Sequence, residues 1–292
     1  MTSRPRDAAV RAALEGVLGA DVARRATLQP LDGGVRQRSY VVSADGGQWV
    51  LRLPAPGADA LLDLATEASV MRAAAAAGLA PDVVAVDAAV GILLTDYRAG
   101  ARSWSVADAR EPRNIERAAA LLRALHALAV DAPSFAAERI ARGYLDALSA
   151  RGAVRRTRDA RERGWADELL ELARHYGAAH PPTALCHNDL VAANFLDDGR
   201  LVLVDFEYSA RAAPVLDLAG LAGMNDYGAR ERRDLLAAYR GEDGLRIAES
   251  ELEKIVRLVR LIAFFWARLG ERRAAEPAAY SALAAELAER LC

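Results

Sequence analysis

The chain has 292 residues, of which 53% are hydrophobic and 27% are charged, and its net charge is -2. This near-neutral balance argues against nucleic acid or an anionic membrane as the partner. The chain contains no uncharged run of the roughly 20 residues that cross a bilayer, no apolar signal core near Met1, and two cysteines without disulfide or zinc spacing. We therefore expect a soluble, cytoplasmic protein.

The first third of the sequence mixes helical and strand-like patterns. Apolar residues at helical intervals predict helices over residues 7–18 and 59–77, the second ending at Gly78. Turns are predicted at residues 29–34 and 45–47, and β-rich runs predict strands at residues 39–43, 48–53, 83–86 and 91–94. We expect an antiparallel sheet with one pair of helices.

The rest of the chain is predominantly helical. The patterns predict helices near residues 114–129, 135–150, 160–176, 214–223, 230–240, 249–269 and 277–290. Because the pattern changes after residue 97, we divide the chain into an N-terminal lobe of residues 1–97 and a C-terminal lobe of residues 98–292. The predicted fold class is α+β.

Residues 185–217 carry most of the recognisable chemistry. Asp189 is followed five residues later by Asn194, and Asp205 comes after a predicted hairpin. Protein-kinase-like phosphotransferases use an Asp, an Asn and a second Asp in this order, the first to accept the proton of the attacking hydroxyl and the others to bind Mg²⁺. Carboxylate and amide oxygens suit Mg²⁺. The spacing predicts a phosphoryl-transfer site.

The N-terminal lobe contains a second pattern that such a site needs. Arg52 is the single charged residue in an apolar predicted strand, where burial without a partner is costly. Glu67 lies at the edge of the apolar stripe of the 59–77 helix and is the candidate partner, with a surface position left open. Kinases hold the α- and β-phosphates with a strand cation that pairs with a helix carboxylate.

Three short strings carry a resemblance to a known family: His187-Asn188-Asp189-Leu190 with Asn194, Asp205-Phe206-Glu207-Tyr208, and Asp217-Leu218-Ala219. They resemble the corresponding strings of bacterial choline/ethanolamine kinases, which belong to the superfamily that includes aminoglycoside phosphotransferases. The resemblance implies a two-lobed protein-kinase-like fold with a mostly helical C-terminal lobe. It covers the chain from about residue 31 to residue 266.

The resemblance also implies roles for individual residues. Asp189 would be the catalytic base, in contact with the acceptor hydroxyl. The implied metal ligands are Asn194, Asp205 and Glu207. The residues implied to hold the catalytic loop in place are His187 and Asp217.

The nucleotide is expected between the lobes. Choline-kinase-like proteins similarly carry Arg where protein kinases carry Lys, which supports Arg52 as the phosphate-binding cation. Val50, two residues earlier on the same strand face, would lie beneath the adenine. Gly34 belongs to a loop that resembles the nucleotide-covering loop of the family, and the backbone at Thr95 and Tyr97 would bind the adenine.

The sequence indicates the acceptor-binding residues less clearly than the nucleotide-binding residues. A quaternary ammonium is held by aromatic faces and a nearby carboxylate. By resemblance Tyr208 lines the pocket, and Trp266 resembles an aromatic contributor, although its place in an apolar helical stripe also suits a core residue. Asp226 is the candidate carboxylate, in a turn that would otherwise be exposed. Phe264 shares a helix face with charged residues and would contact either ligand or another helix.

We therefore predict an ATP- and Mg²⁺-dependent kinase that phosphorylates the hydroxyl of a small amino alcohol, with choline or ethanolamine as the first candidates. An aminoglycoside or other antibiotic phosphotransferase and a thiamine kinase are alternatives within the same chemistry. A catalytically silent, nucleotide-binding scaffold is the alternative from another class. The expected partner is a small-molecule alcohol, with neither nucleic acid nor membrane involved.

Overall fold

The structure is a computed structural model that describes residues 4–31, 37–54, 63–89, 91–150, 160–240, 247–273 and 277–292. The predicted glycine turn at residues 32–34, including Gly34, lies outside the described residues. The helices and strands are numbered below in chain order.

The N-terminal part contains one five-stranded antiparallel sheet. Its strands are paired in the order β1-β2-β3-β5-β4, and their bounds are β1 Thr27–Leu31, β2 Gln37–Ala44, β3 Gly47–Pro54, β4 Val83–Asp87 and β5 Ile92–Asp96. The β2–β3 turn has positive φ angles at Asp45 (49°) and Gly46 (81°), as a two-residue hairpin turn requires. Residues 29–31, predicted as part of a turn, pair with β2 instead, which extends the sheet by one strand.

Three helices accompany this sheet: α1 Arg4–Leu18, α2 Ala20–Arg25 and α3 Leu64–Ala76. The third begins five residues after the predicted start, because the Asp63 carboxylate caps it by accepting hydrogen bonds from the backbone N–H groups of Ala65 (3.0 Å) and Thr66 (3.3 Å). It ends before Gly78, whose φ of 73° permits the reversal of the chain.

The rest of the described chain is mostly helical, as predicted. The helices are α4 Val106–Arg110, α5 Pro112–His126, α6 Ala137–Ala150, α7 Ala160–Ala179, α8 Val215–Met224, α9 Ala229–Arg240, α10 Glu249–Arg273 and α11 Ala278–Leu291. Short strands form two small sheets, ordered β6-β8-β9 and β10-β7, with bounds β6 Arg102–Ser103, β7 Ala184–Cys186, β8 Phe195–Asp197, β9 Leu201–Leu203 and β10 Ala210–Ala212. In the described ranges, no helix has the length and apolar character needed to cross a membrane.

Apolar side chains form two cores. One lies between α1, α2 and the five-stranded sheet and includes Leu14, Val42 and Leu51. The other joins α3 to the C-terminal helices and includes Leu122 and Phe265. Residues of the 185–217 region, among them Leu190, Phe195 and Phe206, belong to this second core. The polar residues that lie between these apolar residues in the sequence are therefore supported by a well-packed core.

Its charged neighbours suggested that Phe264 lies on a solvent-exposed helix face. Phe264 is buried, however, so this face is covered by another part of the protein. Its ring packs edge-on against Trp165 of α7, with ring centroids 5.1 Å apart. A charged neighbour of Phe264 on α10 also contacts another helix: the Arg257 guanidinium forms an ion pair with Glu168 of α7 at 2.8 Å. Of the two predicted contacts for Phe264, the structure shows the one with another helix.

Candidate active site

The predicted catalytic loop, residues 187–194 after β7, is anchored by Asp217 in the first turn of α8. Its two carboxylate oxygens accept hydrogen bonds from the backbone N–H groups of His187 and Asn188, both at 2.8 Å. This stabilises the left-handed conformation of Asn188, whose φ is 65°. Nε2 of His126, on α5, lies 3.0 Å from Asp217 Oδ2 as a third donor. Burial opposes ionisation, but these hydrogen bonds outweigh it and the pKa of Asp217 lies below its usual value.

His187 is fully buried and bonded on both ring nitrogens. Nε2 donates to the carbonyl oxygen of Val204 at 3.0 Å, and Nδ1 accepts the backbone N–H of Asp189 at 3.3 Å. Burial lowers the pKa of His187 and favours the neutral ring. The imidazole therefore links the loop to the segment that carries Asp205, which agrees with the structural role predicted for it.

Replacing Asp217 with alanine is expected to reduce the free energy of unfolding by about 3–5 kcal/mol, because three donors lose their acceptor inside the protein. Urea denaturation followed by circular dichroism measures this change. Asp217→Asn retains one acceptor oxygen and should cost less. A loss below about 1 kcal/mol for Asp217→Ala would contradict the anchoring role, since buried donors without partners cost more than that.

Asn225, just after α8, is a second support of the loop that the sequence interpretation missed. Its side chain is fully buried. Oδ1 accepts the backbone N–H of Ala192 at 2.8 Å, and Nδ2 donates to the carbonyl oxygens of Leu190 and Leu221, also at 2.8 Å. The turn at residues 225–227 was predicted to close the acceptor pocket or to be exposed. Its first residue instead fastens the catalytic loop to α8.

We expect Asn225→Ala to lower the free energy of unfolding by about 2–4 kcal/mol, because it leaves three buried backbone groups without partners. Asn225→Asp keeps the acceptor for Ala192 but loses both donors, so it should also destabilise the chain. Thermal unfolding of the two variants beside wild type measures the effect. Wild-type stability of both would show that the three hydrogen bonds contribute little.

Asp189 and Asn194 form a hydrogen-bonded pair within the predicted catalytic loop. Asn194 Nδ2 donates to Oδ2 of Asp189 at 3.0 Å and to its carbonyl oxygen at 2.9 Å. Both contacts use the amide nitrogen, so the amide oxygen of Asn194 is the atom oriented to act as a metal ligand. Burial, reinforced by the negative charge of Asp205, raises the pKa of Asp189 to about 7. A carboxylate with this pKa is suited to accept a proton near neutral pH.

Asp205 faces this pair from the segment after β9, in a left-handed conformation with φ of 66°. Its Oδ1 accepts a hydrogen bond from Arg52 Nη1 at 2.9 Å. Glu207, two residues on, accepts a hydrogen bond from the side-chain amide of Gln37 on β2. The N-terminal sheet thus reaches the predicted metal-binding segment at two points. Gln37 had no recognisable signal in the sequence, because only the tertiary structure brings β2 to Glu207.

Arg52 and Glu67 are an ion pair, as their positions on β3 and α3 predicted. The Glu67 side chain is only 5% exposed and that of Arg52 15%. Burial raises the pKa of Glu67, and Arg52 only partly offsets this. Burial alone would lower the pKa of Arg52, but Glu67 and Asp205 outweigh it and the net shift is upward. One guanidinium thus bridges the helix carboxylate and the predicted metal ligand.

The predicted adenine-binding residues lie at one end of the sheet. Val50 on β3 is directly opposite Thr95 on β5. The backbone N–H of Asp96 already donates to the carbonyl oxygen of Asp82 at 2.9 Å, and that of Tyr97 to Gln48 at 3.2 Å. Because the Tyr97 N–H is already bonded, adenine recognition at Tyr97 would use its carbonyl oxygen, which suits the exocyclic amino group as donor.

The residues predicted for the acceptor are not all brought together. Tyr208 is half-buried, and its carbonyl oxygen accepts the Asn188 side-chain amide at 3.0 Å, so it adjoins the catalytic loop. Asp226 is paired with Arg290 at 2.8 Å and Arg260 at 3.5 Å. The ring of Trp266 packs against Tyr280 of α11, with centroids 5.3 Å apart. Asp226 and Trp266 therefore already have partners within the protein.

The donor set fits the magnesium that this chemistry requires. The amide oxygen of Asn194 and the carboxylates of Asp205 and Glu207 are hard oxygen ligands, which Mg²⁺ prefers over imidazole or thiolate. Asp189 lies beside them with a raised pKa, and Arg52 adds a positive charge on the sheet side. A predicted base, predicted oxygen ligands and a fixed cation are the components that phosphoryl transfer needs. Fold and site together define a two-lobed, protein-kinase-like phosphotransferase class.

Comparison with known proteins gives the family. Residues 27–249 match the model of the phosphotransferase enzyme family, so the chain belongs to that family. A choline/ethanolamine kinase family protein from Mesorhizobium loti is 28% identical and superimposes with a TM-score of 0.75 over 97% of this chain and 93% of that one. The choline kinase LicA from Streptococcus pneumoniae gives a TM-score of 0.81 at 19% identity, over 98% of both chains. The predicted protein-kinase-like fold is confirmed.

A curated relative is more similar over a shorter stretch. Ethanolamine kinase 2 from Mus musculus is 30% identical over 118 residues, which are 34% of this chain and 31% of that protein. The matches span only 31% to 55% of the length of the first curated relatives. The similarity therefore supports a kinase of this general type.

Proposed function

We propose that the protein is a kinase that transfers the γ-phosphoryl group of ATP to the hydroxyl group of a small amino alcohol. The observation that carries this proposal is the convergence of Asp189, Asn194 and Asp205 with the bridging Arg52–Glu67 pair. These residues come from separate parts of the sequence. A catalytically silent scaffold has no need to keep both groups, Asp189 bonded to Asn194 and Arg52 paired with Asp205 and Glu67.

Each side chain has a definite task in this reaction. Arg52, held by Glu67, binds the phosphates, and Asp189 orients the acceptor hydroxyl and takes its proton. Asn194 and Asp205, with Glu207 beside them, hold Mg²⁺, which when bound neutralises charge on the phosphates. The loop contacts of Asp217, His187 and Asn225 keep these groups in place.

The nucleotide is proposed to bind between an N-terminal lobe of residues 1–97 and a C-terminal lobe of residues 98–292. Two observations support this division. The five-stranded sheet ends at Asp96, and the next strand, β6, pairs with β8 in the small sheet beside the catalytic loop. Val50 and Thr95 would then face the adenine, with Gly34 in the loop that covers the phosphates.

Choline and ethanolamine are the proposed acceptors. The relatives described above include ethanolamine and choline kinases. The backbone carbonyl oxygen of Tyr208 accepts a hydrogen bond from the Asn188 side chain, so Tyr208 adjoins the residue before Asp189, which supports an acceptor role for it. Asp226 and Trp266 stay in the proposal as outer acceptor residues. Because each has an internal partner in this structure, binding would require them to exchange or share that contact.

The test is ADP release from ATP and Mg²⁺ across a panel of choline, ethanolamine, thiamine and aminoglycosides, with Asp189→Asn as the inactive control. The expected result is stimulation by choline or ethanolamine, with a phosphomonoester product identified by mass spectrometry. Stimulation by thiamine or an aminoglycoside alone would replace the acceptor assignment. No stimulation by any acceptor would contradict the amino-alcohol kinase proposal and favour the scaffold.

A further inference from the structure

Two histidines and a glutamate converge at the junction of α7 and α10. Nε2 of His175 lies 2.7 Å from Oε1 of Glu251, and Nε2 of His180 lies 2.9 Å from the same oxygen. One ligand atom from each of the three residues lies within 4.8 Å of the other two. The chain has four histidines, and the other two support the catalytic loop. Phosphoryl transfer uses none of this cluster.

Neighbouring contacts orient the cluster. The backbone N–H of His180 donates to the carbonyl oxygen of Tyr176 at 2.9 Å, and the two rings stack with centroids 5.4 Å apart. The Tyr176 hydroxyl is in turn fixed by the backbone N–H of Ala213 at 3.2 Å. Lys254 binds the other carboxylate oxygen of Glu251 at 3.1 Å, which leaves Oε1 directed at both imidazoles.

We propose that His175, His180 and Glu251 bind a divalent transition metal ion of the zinc type. Two imidazole nitrogens and one carboxylate oxygen are a common three-ligand set for Zn²⁺, with water in the fourth position. Mg²⁺, which the catalytic reaction needs, prefers oxygen ligands and is a poor match to this cluster. The two sites are therefore selective for different ions.

The Glu251 contacts require an adjustment of about half an ångström. Tetrahedral ligands about 2.0–2.1 Å from Zn²⁺ are about 3.3 Å apart, so the Glu251 oxygen must withdraw from each imidazole nitrogen by about half an ångström. The side chain of His175 is 41% exposed, so it has room to move and solvent has access to the site. Binding requires Nε2 of both rings without a proton, so each neutral ring would carry its proton on Nδ1 in the zinc complex.

Metal binding here would fasten two helices. His175 lies in the last two turns of α7 and His180 just after that helix, while Glu251 lies in the first turn of α10. The chain leaves α7 through residues 180–183 into β7 and then the catalytic loop. The ion would thus fix the start of the segment that leads to Asp189. Its main expected effect is stabilisation of the C-terminal helices.

The experiment uses the full chain without a polyhistidine tag, stripped of metal, and titrates ZnCl₂ by isothermal titration calorimetry. Asp205→Asn is included as a control that weakens the predicted magnesium site. The expected result is one zinc ion per chain in wild type and in Asp205→Asn. The His175→Asn/His180→Asn variant should bind at least about 100-fold more weakly, because it loses two ligands directly.

Two further measurements separate the proposal from a simple hydrogen-bonded cluster. Co²⁺ in place of zinc should give visible absorption bands of a four-coordinate ion in wild type and none in the double variant. Zinc should raise the thermal unfolding midpoint of wild type and of Asp205→Asn, but not that of the double variant. Equal zinc affinity in wild type and the double variant, or less than one ion per chain, would overturn the proposal whatever the outcome of the acceptor panel.

Discussion

Asp189→Asn is expected to lower kcat by about 10²–10⁴-fold, the usual contribution of a positioned general base. Asparagine can keep the hydrogen bond to Asn194, but it cannot accept the proton of the acceptor hydroxyl. The matched control is Asp234→Asn, which changes an exposed carboxylate on α9 and should leave turnover unaltered. Initial rates at saturating ATP and acceptor measure both variants. Near-wild-type turnover of Asp189→Asn would refute the assignment of the base.

The same carboxylate gives a prediction for pH. Burial and the charge of Asp205 raise the pKa of Asp189 to about 7. Only the ionised form accepts a proton, so kcat/KM should fall on the acid side of the pKa of Asp189, by about tenfold per unit; Mg²⁺ at Asp205 offsets its negative charge and moves this limb below pH 7. A profile that stays flat down to pH 5 would show that another group is the base. Asp189→Asn should abolish this limb of the profile in whatever activity remains.

The effect of pH on folding stability should be opposite to its effect on kcat/KM: stability should fall as the pH rises. A carboxyl group whose folded pKa is raised binds more protons in the folded state than in the unfolded state, so stability falls as pH rises from about 4 to about 7. Above about pH 7 the full penalty for the ionised group is present. Asp189→Asn removes it. In the absence of Mg²⁺ the variant should therefore unfold at a higher temperature than wild type at pH 8, although it is far less active.

Arg52→Met is expected to affect both stability and catalysis. The substitution leaves Glu67, which is 5% exposed, as a buried charge without its partner. Breaking a buried pair in this way costs about 3–5 kcal/mol. It also removes the cation proposed to bind the phosphates, so kcat/KM for ATP should fall by about 10²–10³-fold, as for other fixed electrostatic contacts to a transition state.

A double variant separates these two effects. Arg52→Met/Glu67→Leu removes both charges and fills the space with apolar atoms, which should recover most of the lost stability. It should not recover activity, because the phosphates still lack their cation. Urea denaturation and ATP-dependent kinetics measure the two properties in parallel. Recovery of activity together with stability would show that Arg52 acts only as a structural residue.

The predicted nucleotide- and metal-binding residues were recognisable because their signals are local in sequence. Asp189 and Asn194 are five residues apart on one loop, and Asp205 follows the next hairpin. Arg52 and Glu67 were recognisable because a charge in an apolar strand or helix stripe needs a partner. The structure brings Arg52 into contact with both Glu67 and Asp205.

The acceptor side could not be predicted to the same depth. Asp226 follows an apolar helix and was interpreted as a pocket carboxylate, but two arginines from distant positions in the sequence reach it. Phe264 was placed on a charged helix face, and that face is buried against α7. Periodicity describes one helix at a time, so it contains no information about which neighbour covers each face.

The sequence by itself determined the fold class, the family resemblance and the order of the groups predicted to bind phosphate and metal. These depend on short strings and on the periods of single elements. Only the tertiary structure showed that Asn225 supports the same loop as Asp217, that Gln37 reaches Glu207, and that two histidines meet Glu251. Each of these contacts joins residues on different elements, and their distances depend on how the whole core packs.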